Sequence, residues 1–329
     1  MRKLVAEFPL QVEEAIEIAK TAELNKVDKK FQNLIISGLG GSGIGGTIGA
    51  QLALDQLSIP SHVNKDYHLP SFVNGHSLVV LCSYSGNTEE TLSAFEEAES
   101  KGAELVCITS GGKLLEIAKN KGINHIQIPA EYPPRAAFGL SFTQLLKVLE
   151  HYKLIDSSLL YQMEAVPGFL RDEEESIQSL ANEIADKFMG KTPILYCAAE
   201  NEGVAVRFRQ QINENGKMLC WHHVYPEMTH NELVGWTIKN EDQAVLFMRT
   251  SHDHIRTQKR MDITKEVYAK YTSSILDHNA KGSNKLEQSI YWIHLGDWVS
   301  VMLAEKRGLD PVEVDVITHL KGELAKFES

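Results

Sequence analysis

Short apolar runs closed by glycine-rich or hydroxyl-rich loops recur through the first half of the chain. Asn33 to Ser37, Leu78 to Cys82, Glu104 to Thr109 and Asn124 to Ile128 each read as a buried strand. The first three are followed by loop punctuation and then by a helical pattern. Such alternation predicts an α/β fold with a mostly parallel sheet covered by helices on both faces. Ligands of such sheets bind at the carboxyl ends of the strands, where these loops lie. Pro133-Pro134 ends the block, and a helical run follows from Arg135 to Tyr152. Residues 153–170 read as a connection, with Pro167-Gly168 as a breaker. A second α/β block follows. It has an amphipathic helix over Asp172 to Phe188 and strands at Pro193 to Cys197, Ala244 to Arg249 and Ser274 to Asp277. A long helix covers Asn284 to Lys306, and a short helix closes the chain. The pattern predicts two similar units in tandem, residues 1–152 and 153–329, although no internal repeat is strong enough to establish a duplication.

Composition narrows the classes. The 329 residues suffice for two domains, and 43% hydrophobic with 23% charged residues is ordinary for a chain with a real core. The formal net charge of −11 argues against a nucleic-acid surface, which clusters Lys and Arg. It leaves room for a small phosphorylated substrate, which needs only a local site. Cys82, Cys107, Cys197 and Cys220 form no C-x-x-C pair and read as free thiols of a reducing compartment. The N-terminal residues lack the apolar core of a signal peptide, and no run approaches a membrane span. A cytoplasmic location is expected, with neither membrane nor nucleic acid as partner.

The densest chemistry lies in Ser83-Tyr84-Ser85-Gly86-Asn87-Thr88-Glu89-Glu90-Thr91. Four hydroxyls, a glycine and a helix start form an anion site that works by dipoles and hydrogen bonds, and phosphate is the usual guest. The plain alternative is a helix start with Asn87 as N-cap and Glu90 completing a capping box. An earlier loop, Gly38-Leu39-Gly40-Gly41-Ser42-Gly43, satisfies G-x-G-x-x-G after a strand and before a helix, and Asp66 lies 23 residues past Gly43. That spacing fits a nicotinamide dinucleotide site. Against it, Gly45 and Gly46 exceed what a dinucleotide turn requires, and a dinucleotide fold has no use for the second anion loop.

Together, Gly40-Gly41-Ser42-Gly43 and residues 83–91 resemble the two phosphosugar-binding loops of the sugar isomerase (SIS) domain. Three further blocks narrow the resemblance: Glu131-Tyr132-Pro133-Pro134-Arg135, Asn213-Glu214-Asn215 and Pro226-Glu227-Met228-Thr229-His230-Asn231-Glu232. In this order, over nearly the whole chain, they resemble the bifunctional phosphoglucose/phosphomannose isomerases. The resemblance implies two tandem SIS domains. It implies interconversion of glucose 6-phosphate or mannose 6-phosphate with fructose 6-phosphate through a cis-enediolate, without metal or other cofactor. It also implies a homodimer in which His230 reaches the neighbouring subunit's site.

Aldose–ketose isomerisation needs an opened ring, a proton moved between C1 and C2, and a stabilised enediolate. Glu214 matches the family's base, a natural role for a carboxylate. His230 matches the histidine that assists ring opening near neutral pH, with Glu227 and Glu232 placed to orient it. Arg135, stiffened by two prolines, matches a guanidinium facing the enediolate. Its plain alternative is a helix-start arginine paired with Glu131. Lys321 matches a lysine that helps open the ring or holds the sugar. Gly41, Ser42, Ser83, Ser85 and Thr88 would hold the 6-phosphate and so position the reacting carbons. Taken singly, Glu214 reads as a solvated helical glutamate, His230 as a turn cap and Lys321 as a solvated helical lysine. His222-His223 and His252-Asp253-His254 lack a third metal ligand at a recognisable spacing. Tyr291, Trp292 and Trp298 fall at helical spacing and read as core. Gly216 stands where the resemblance leads one to expect alanine, and glycine loosens a helix end by about 1 kcal/mol relative to alanine. Two rival classes stay open: a regulatory phosphosugar-binding SIS protein without catalysis, and a nicotinamide-dependent oxidoreductase.

Overall fold

Two helices, α1 (Arg2–Ala6) and α2 (Phe8–Thr21), precede the first strand in the computed structural model, which describes residues 1–327. Then follow β1 (Asn33–Ser37), α3 (Gly40–Leu52), β2 (Ser61–Asn64), β3 (Ser77–Ser83), α4 (Glu89–Ser100), β4 (Glu104–Thr109), α5 (Gly112–Lys121) and β5 (Asn124–Gln127). These strands form one parallel sheet in the order β2-β1-β3-β4-β5. All seven residues of β3 are buried, as a central parallel strand covered on both faces requires.

A 3-10 turn at Pro134–Ala136 leads into α6 (Phe138–His151) and α7 (Ser158–Phe188). Next come β6 (Thr192–Ala198), α8 (Glu202–Glu214), β7 (Trp221–Tyr225), β8 (Gln243–Arg249), α9 (Ile255–Tyr268), β9 (Ile275–Asn279), α10 (Lys285–Lys306) and α11 (Asp315–Leu324). The second sheet is also parallel, ordered β7-β6-β8-β9. Its winding repeats that of the first sheet without the fifth strand. The likeness of the two units is therefore plain in topology although sequence did not establish it.

Every expected strand forms, and two short ones join them. β2 and β7 are edge strands, paired on one side only, with mostly unburied residues that lack an apolar run. The expected connection over 153–170 is instead the first half of α7, which continues through Pro167. A proline inside a helix costs about 3 kcal/mol or more, because a backbone bond is lost and the ring crowds the previous turn. Here Leu159, Met163, Val166 and Leu170 bury a continuous face on either side of it, and that burial offsets the loss. Arg135 lies in the 3-10 turn rather than at the start of α6.

One core runs through both units. α7 and α10 pack along each other, and α2, α6 and α8 fill the space around them. α10 is buried continuously from Leu286 to Ala304, including Trp292 and Trp298, as a helix apolar nearly all round must be. This shared core fixes how the carboxyl ends of the first sheet meet the end of α8, where the candidate residues lie.

Candidate active site

In the first sheet the strand order reverses between β1 and β3, and both anion loops open there. The α3 turn is tight: a Cβ on Gly43 would sit 2.1 Å from Gly38 O, so only glycine fits. Gly86 adopts φ +68°, and a Cβ there would meet Gly111 O at 1.8 Å. Ser83 is buried beneath the second loop. Its Oγ accepts from Gly86 N at 3.1 Å and lies 2.8 Å from Thr88 Oγ1, so it holds the loop closed. Ser85 Oγ accepts from Asn87 N. Ser42 joins the loops, accepting from Tyr84 N at 3.2 Å.

The capping-box reading of this loop is corrected. Thr88, not Asn87, is the N-cap of α4, and its side chain makes no capping bond. Asn87 Oδ1 accepts instead from Lys113 N at 3.0 Å, supplying an acceptor to the first turn of the adjacent α5. The start of α4 is thus left without a side-chain cap, with its dipole directed at the loop.

A cavity of about 340 Å³ lies in front of α4, lined by Tyr67, Ser85, Thr88, Glu89, Glu90 and Lys321 among others. Lys321, on α11, is thereby brought to the hydroxyl loop from the far end of the chain. Glu90, with burial and Glu89 behind it, raises the Tyr67 phenol above its ordinary value, a sign of local negative potential. Lys321 supplies a positive charge to the same lining.

Gly41 connects this half to the second. A Cβ on Gly41 would lie 3.0 Å from Pro134 O and 3.5 Å from Arg135 Cα, so the glycine loop packs directly on the Pro-Pro-Arg turn. Arg135 is buried. Its Nη1 lies 3.6 Å from Glu214 Oε2, and Glu214 is the last residue of α8, partly open to solvent. The proposed pairing with Glu131 is replaced by this one. Arg135 Nη2 donates to Pro311 O (2.8 Å) and Val312 O (3.0 Å), just before α11. Burial lowers the guanidinium from its usual value, opposed by Glu214, Asp310 and Glu313. Gly216 lies past the end of α8 rather than inside it. An alanine Cβ there would sit 2.7 Å from Ile212 O, which accounts for the glycine.

His230 stands apart. It is exposed, at the end of a 3-10 turn over Glu227–His230, and shares no hydrogen bond or ion pair with Glu214 or Arg135 among the described residues. Glu227 and Glu232 do not orient it: Glu227 Oε1 accepts from Asn231 Nδ2, and Glu232 Oε1 accepts from Tyr196 OH. Within one chain Gly41 adjoins Arg135, which faces Glu214; Ser42 adjoins the hydroxyl loop that Ser83 and Thr88 brace; and Lys321 shares a cavity with Ser85 and Thr88, while none of these contacts includes His230 among the described residues.

At the corresponding crevice of the second sheet, between β6 and β8, polar groups are already paired with one another. Asp253 is buried and accepts from Thr250 N and Oγ1 at 3.0 and 2.6 Å. Gln51 of α3 accepts from Gly203 N at 2.9 Å, satisfying the start of α8. The histidines nearby have structural partners: His222 lies 3.5 Å from Glu202, and His254 Nδ1 caps α9. Asp66, the candidate ribose ligand, accepts from Tyr67 N.

Comparison with known proteins places the chain among its relatives. Residues 177–324 match the family model for the bacterial phospho-glucose isomerase C-terminal SIS domain. A bifunctional phosphoglucose/phosphomannose isomerase of Caldicellulosiruptor bescii is 37% identical over the whole of both chains. One from Aquifex aeolicus is 38% identical over 90% of this chain and 91% of its own. In fold, the chain is similar to the C-terminal domain of glucosamine-fructose-6-phosphate aminotransferase from Francisella tularensis (TM-score 0.76, 13% identity, covering 94% of this chain and 96% of that one). With SIS architecture in both units and such identity across its full length, the chain belongs to the bifunctional phosphoglucose/phosphomannose isomerase family.

Proposed function

We propose that the protein interconverts glucose 6-phosphate and mannose 6-phosphate with fructose 6-phosphate. The observation that carries this reading is the meeting of Arg135 and Glu214, 3.6 Å apart, beside the glycine loop that adjoins the hydroxyl loop. The 6-phosphate sits against Gly41, Ser42, Ser85 and Thr88, in a loop braced by Ser83, with the α4 dipole and Lys321 balancing its charge. Anchoring the tail fixes C1 and C2 before Glu214. Glu214 takes the proton from one carbon and returns it to the other, and Arg135 stabilises the negative charge of the cis-enediolate between the two transfers. His230 and Lys321 shuttle the proton that opens the ring. Both epimers arise if the enediolate turns about C2–C3 before reprotonation.

His230 belongs to a second copy's site in this reading, and the protein works as a homodimer. The exposed Val234 (79%) and Ile238 (79%) follow it closely in sequence and give an interface apolar surface to bury. Residues 1–152 and 153–329 act as the two domains, each carrying one parallel sheet. Buried free thiols at Cys82, Cys107 and Cys197 suit the cytoplasm, and no helix among the described residues is long and apolar enough to cross a membrane.

A coupled assay of glucose 6-phosphate and mannose 6-phosphate, with and without chelator, tests the proposal. Turnover of both, unchanged by chelator, is expected. Binding of fructose 6-phosphate without turnover would instead make the protein a phosphosugar sensor, and nicotinamide binding would reinstate the oxidoreductase.

A further inference from the structure

Arg135 has five N–H donors and a single productive orientation, so something must set its rotation. We propose that Asn215 is the positioning residue that turns Arg135 toward the base. This inference rests on the roles given to Arg135 and Glu214 above.

Asn215 follows Glu214 at the end of α8 and is fully buried, whereas Glu214 is partly open to solvent. Its Oδ1 accepts from Arg135 Nε at 2.7 Å, and its Nδ2 donates to Ser300 Oγ at 3.0 Å. Ser300 Oγ in turn donates to Asp297 O at 2.7 Å. The amide therefore has one orientation. If it were flipped, its NH2 would oppose the Arg135 Nε–H, donor against donor, and its oxygen would face a serine whose only proton is already committed.

The anchor behind Ser300 is also rigid. The Asp297 carboxylate accepts from Arg207 Nη2 at 3.1 and 3.0 Å and from Gln211 Nε2 at 2.6 Å. The Arg207 guanidinium lies 4.4 Å from the Phe138 ring centroid. Nε of Arg135 is thus held by Asn215, and Nη2 by the carbonyls of Pro311 and Val312. Nη1 is the nitrogen left to face Glu214 and, when substrate is bound, the enediolate oxygens. Without the amide acceptor the guanidinium can rotate, and its charge moves off the position where the transition state needs it.

The test measures fructose 6-phosphate isomerisation by the full-length protein and by Arg135→Lys, Asn215→Ala, Ser300→Ala and the Asn215→Ala/Ser300→Ala double variant. Asn215→Ala is expected to lower kcat about 30-fold while KM stays within about twofold, because the phosphate anchor is remote from it. Ser300→Ala, which touches neither Arg135 nor substrate, is expected to lower kcat about fivefold, and the double variant to be no slower than Asn215→Ala, the mark of two residues acting as one unit. If Asn215→Ala does not fold, Ser300→Ala decides alone through the same split of kcat from KM. A kcat within twofold of normal in both single variants, losses that multiply in the double variant, or a parallel rise in KM would overturn the proposal. An Arg135→Lys variant with normal activity would instead overturn the role of Arg135 itself.

Discussion

Arg135 and Glu214 face each other at 3.6 Å although one comes from the first sheet's end and the other from the last turn of α8. The cation is held by Asn215 and two carbonyls, so it does not depend on the carboxylate for its place. Exchanging Glu214 for glutamine should therefore leave the fold intact and remove only the base. In Glu214→Gln, kcat should fall by about 10²–10⁴-fold with little change in melting temperature. Near-normal isomerisation by the folded variant would remove Glu214 from the mechanism.

If His230 serves the partner's site, two dead proteins should repair each other. Mixing unfolded and refolded Glu214→Gln and His230→Ala chains should regenerate about a quarter of the wild-type sites, since half the dimers are mixed and each mixed dimer holds one intact site. Activity that stays at the level of the separate variants would place His230 in its own chain's function or in none.

Lys321 lines the cavity from a helix with no buried residues, so its replacement should cost binding and not folding. Lys321→Met should raise KM for fructose 6-phosphate by about tenfold, or about 1.4 kcal/mol. The gap to wild type should shrink as salt rises. An unchanged KM at low salt would leave the lysine as a surface residue.

Gly86 permits the hydroxyl loop. Its φ of +68° and the 1.8 Å approach of a Cβ to Gly111 O leave no room for a side chain. Gly86→Ala should cost more than about 1 kcal/mol of stability by thermal melting. It should also weaken competitive inhibition by inorganic phosphate. Unaltered phosphate inhibition would separate this loop from the anion site.

Arg2 and Glu305 tie α1 to α10 by paired bonds of 2.8 and 2.7 Å. The bond from Arg2 lowers the Glu305 carboxyl below its ordinary value of 4.5. A lowered carboxyl contributes stability above its ordinary value, and the contribution is lost as pH falls through the folded one. Both side chains are roughly half-exposed, so the pair is worth only about 0.2–1 kcal/mol. Arg2→Ala should melt slightly lower than wild type at pH 7, and the difference should vanish well below pH 4. A difference that persists there would assign the effect to the contact of Arg2 with the Trp298 ring.

Central strands were legible because an apolar run bounded by glycine and hydroxyl residues has one use in a parallel sheet. β2 and β7 were not, because their short, mostly unburied stretches carry no apolar run. Pro167 misled for a related reason. Its local effect opposes helix, and the decisive term is burial of Leu159, Met163, Val166 and Leu170 in the shared core, which no local window contains. Within the site, Glu214 and Arg135 were visible through their motifs. Asn215 stood beside Glu214 in plain view, yet nothing in its spacing showed that its partner is 80 positions away.

By itself the sequence determined the fold class, the two anion loops and the residue types able to move a proton, since these follow from periodicity and backbone chemistry within a few residues. Tertiary structure alone decided that Lys321 returns to the hydroxyl loop and that Asn215 sets Arg135. It also decided that Asp253 and Gln51 are paired at the second sheet's crevice, and that His230 is exposed without a hydrogen bond or ion pair to Glu214 or Arg135 among the described residues. Those relations join residues distant in the chain, and only the packing of α7, α8 and α10 into one core sets the distances between them.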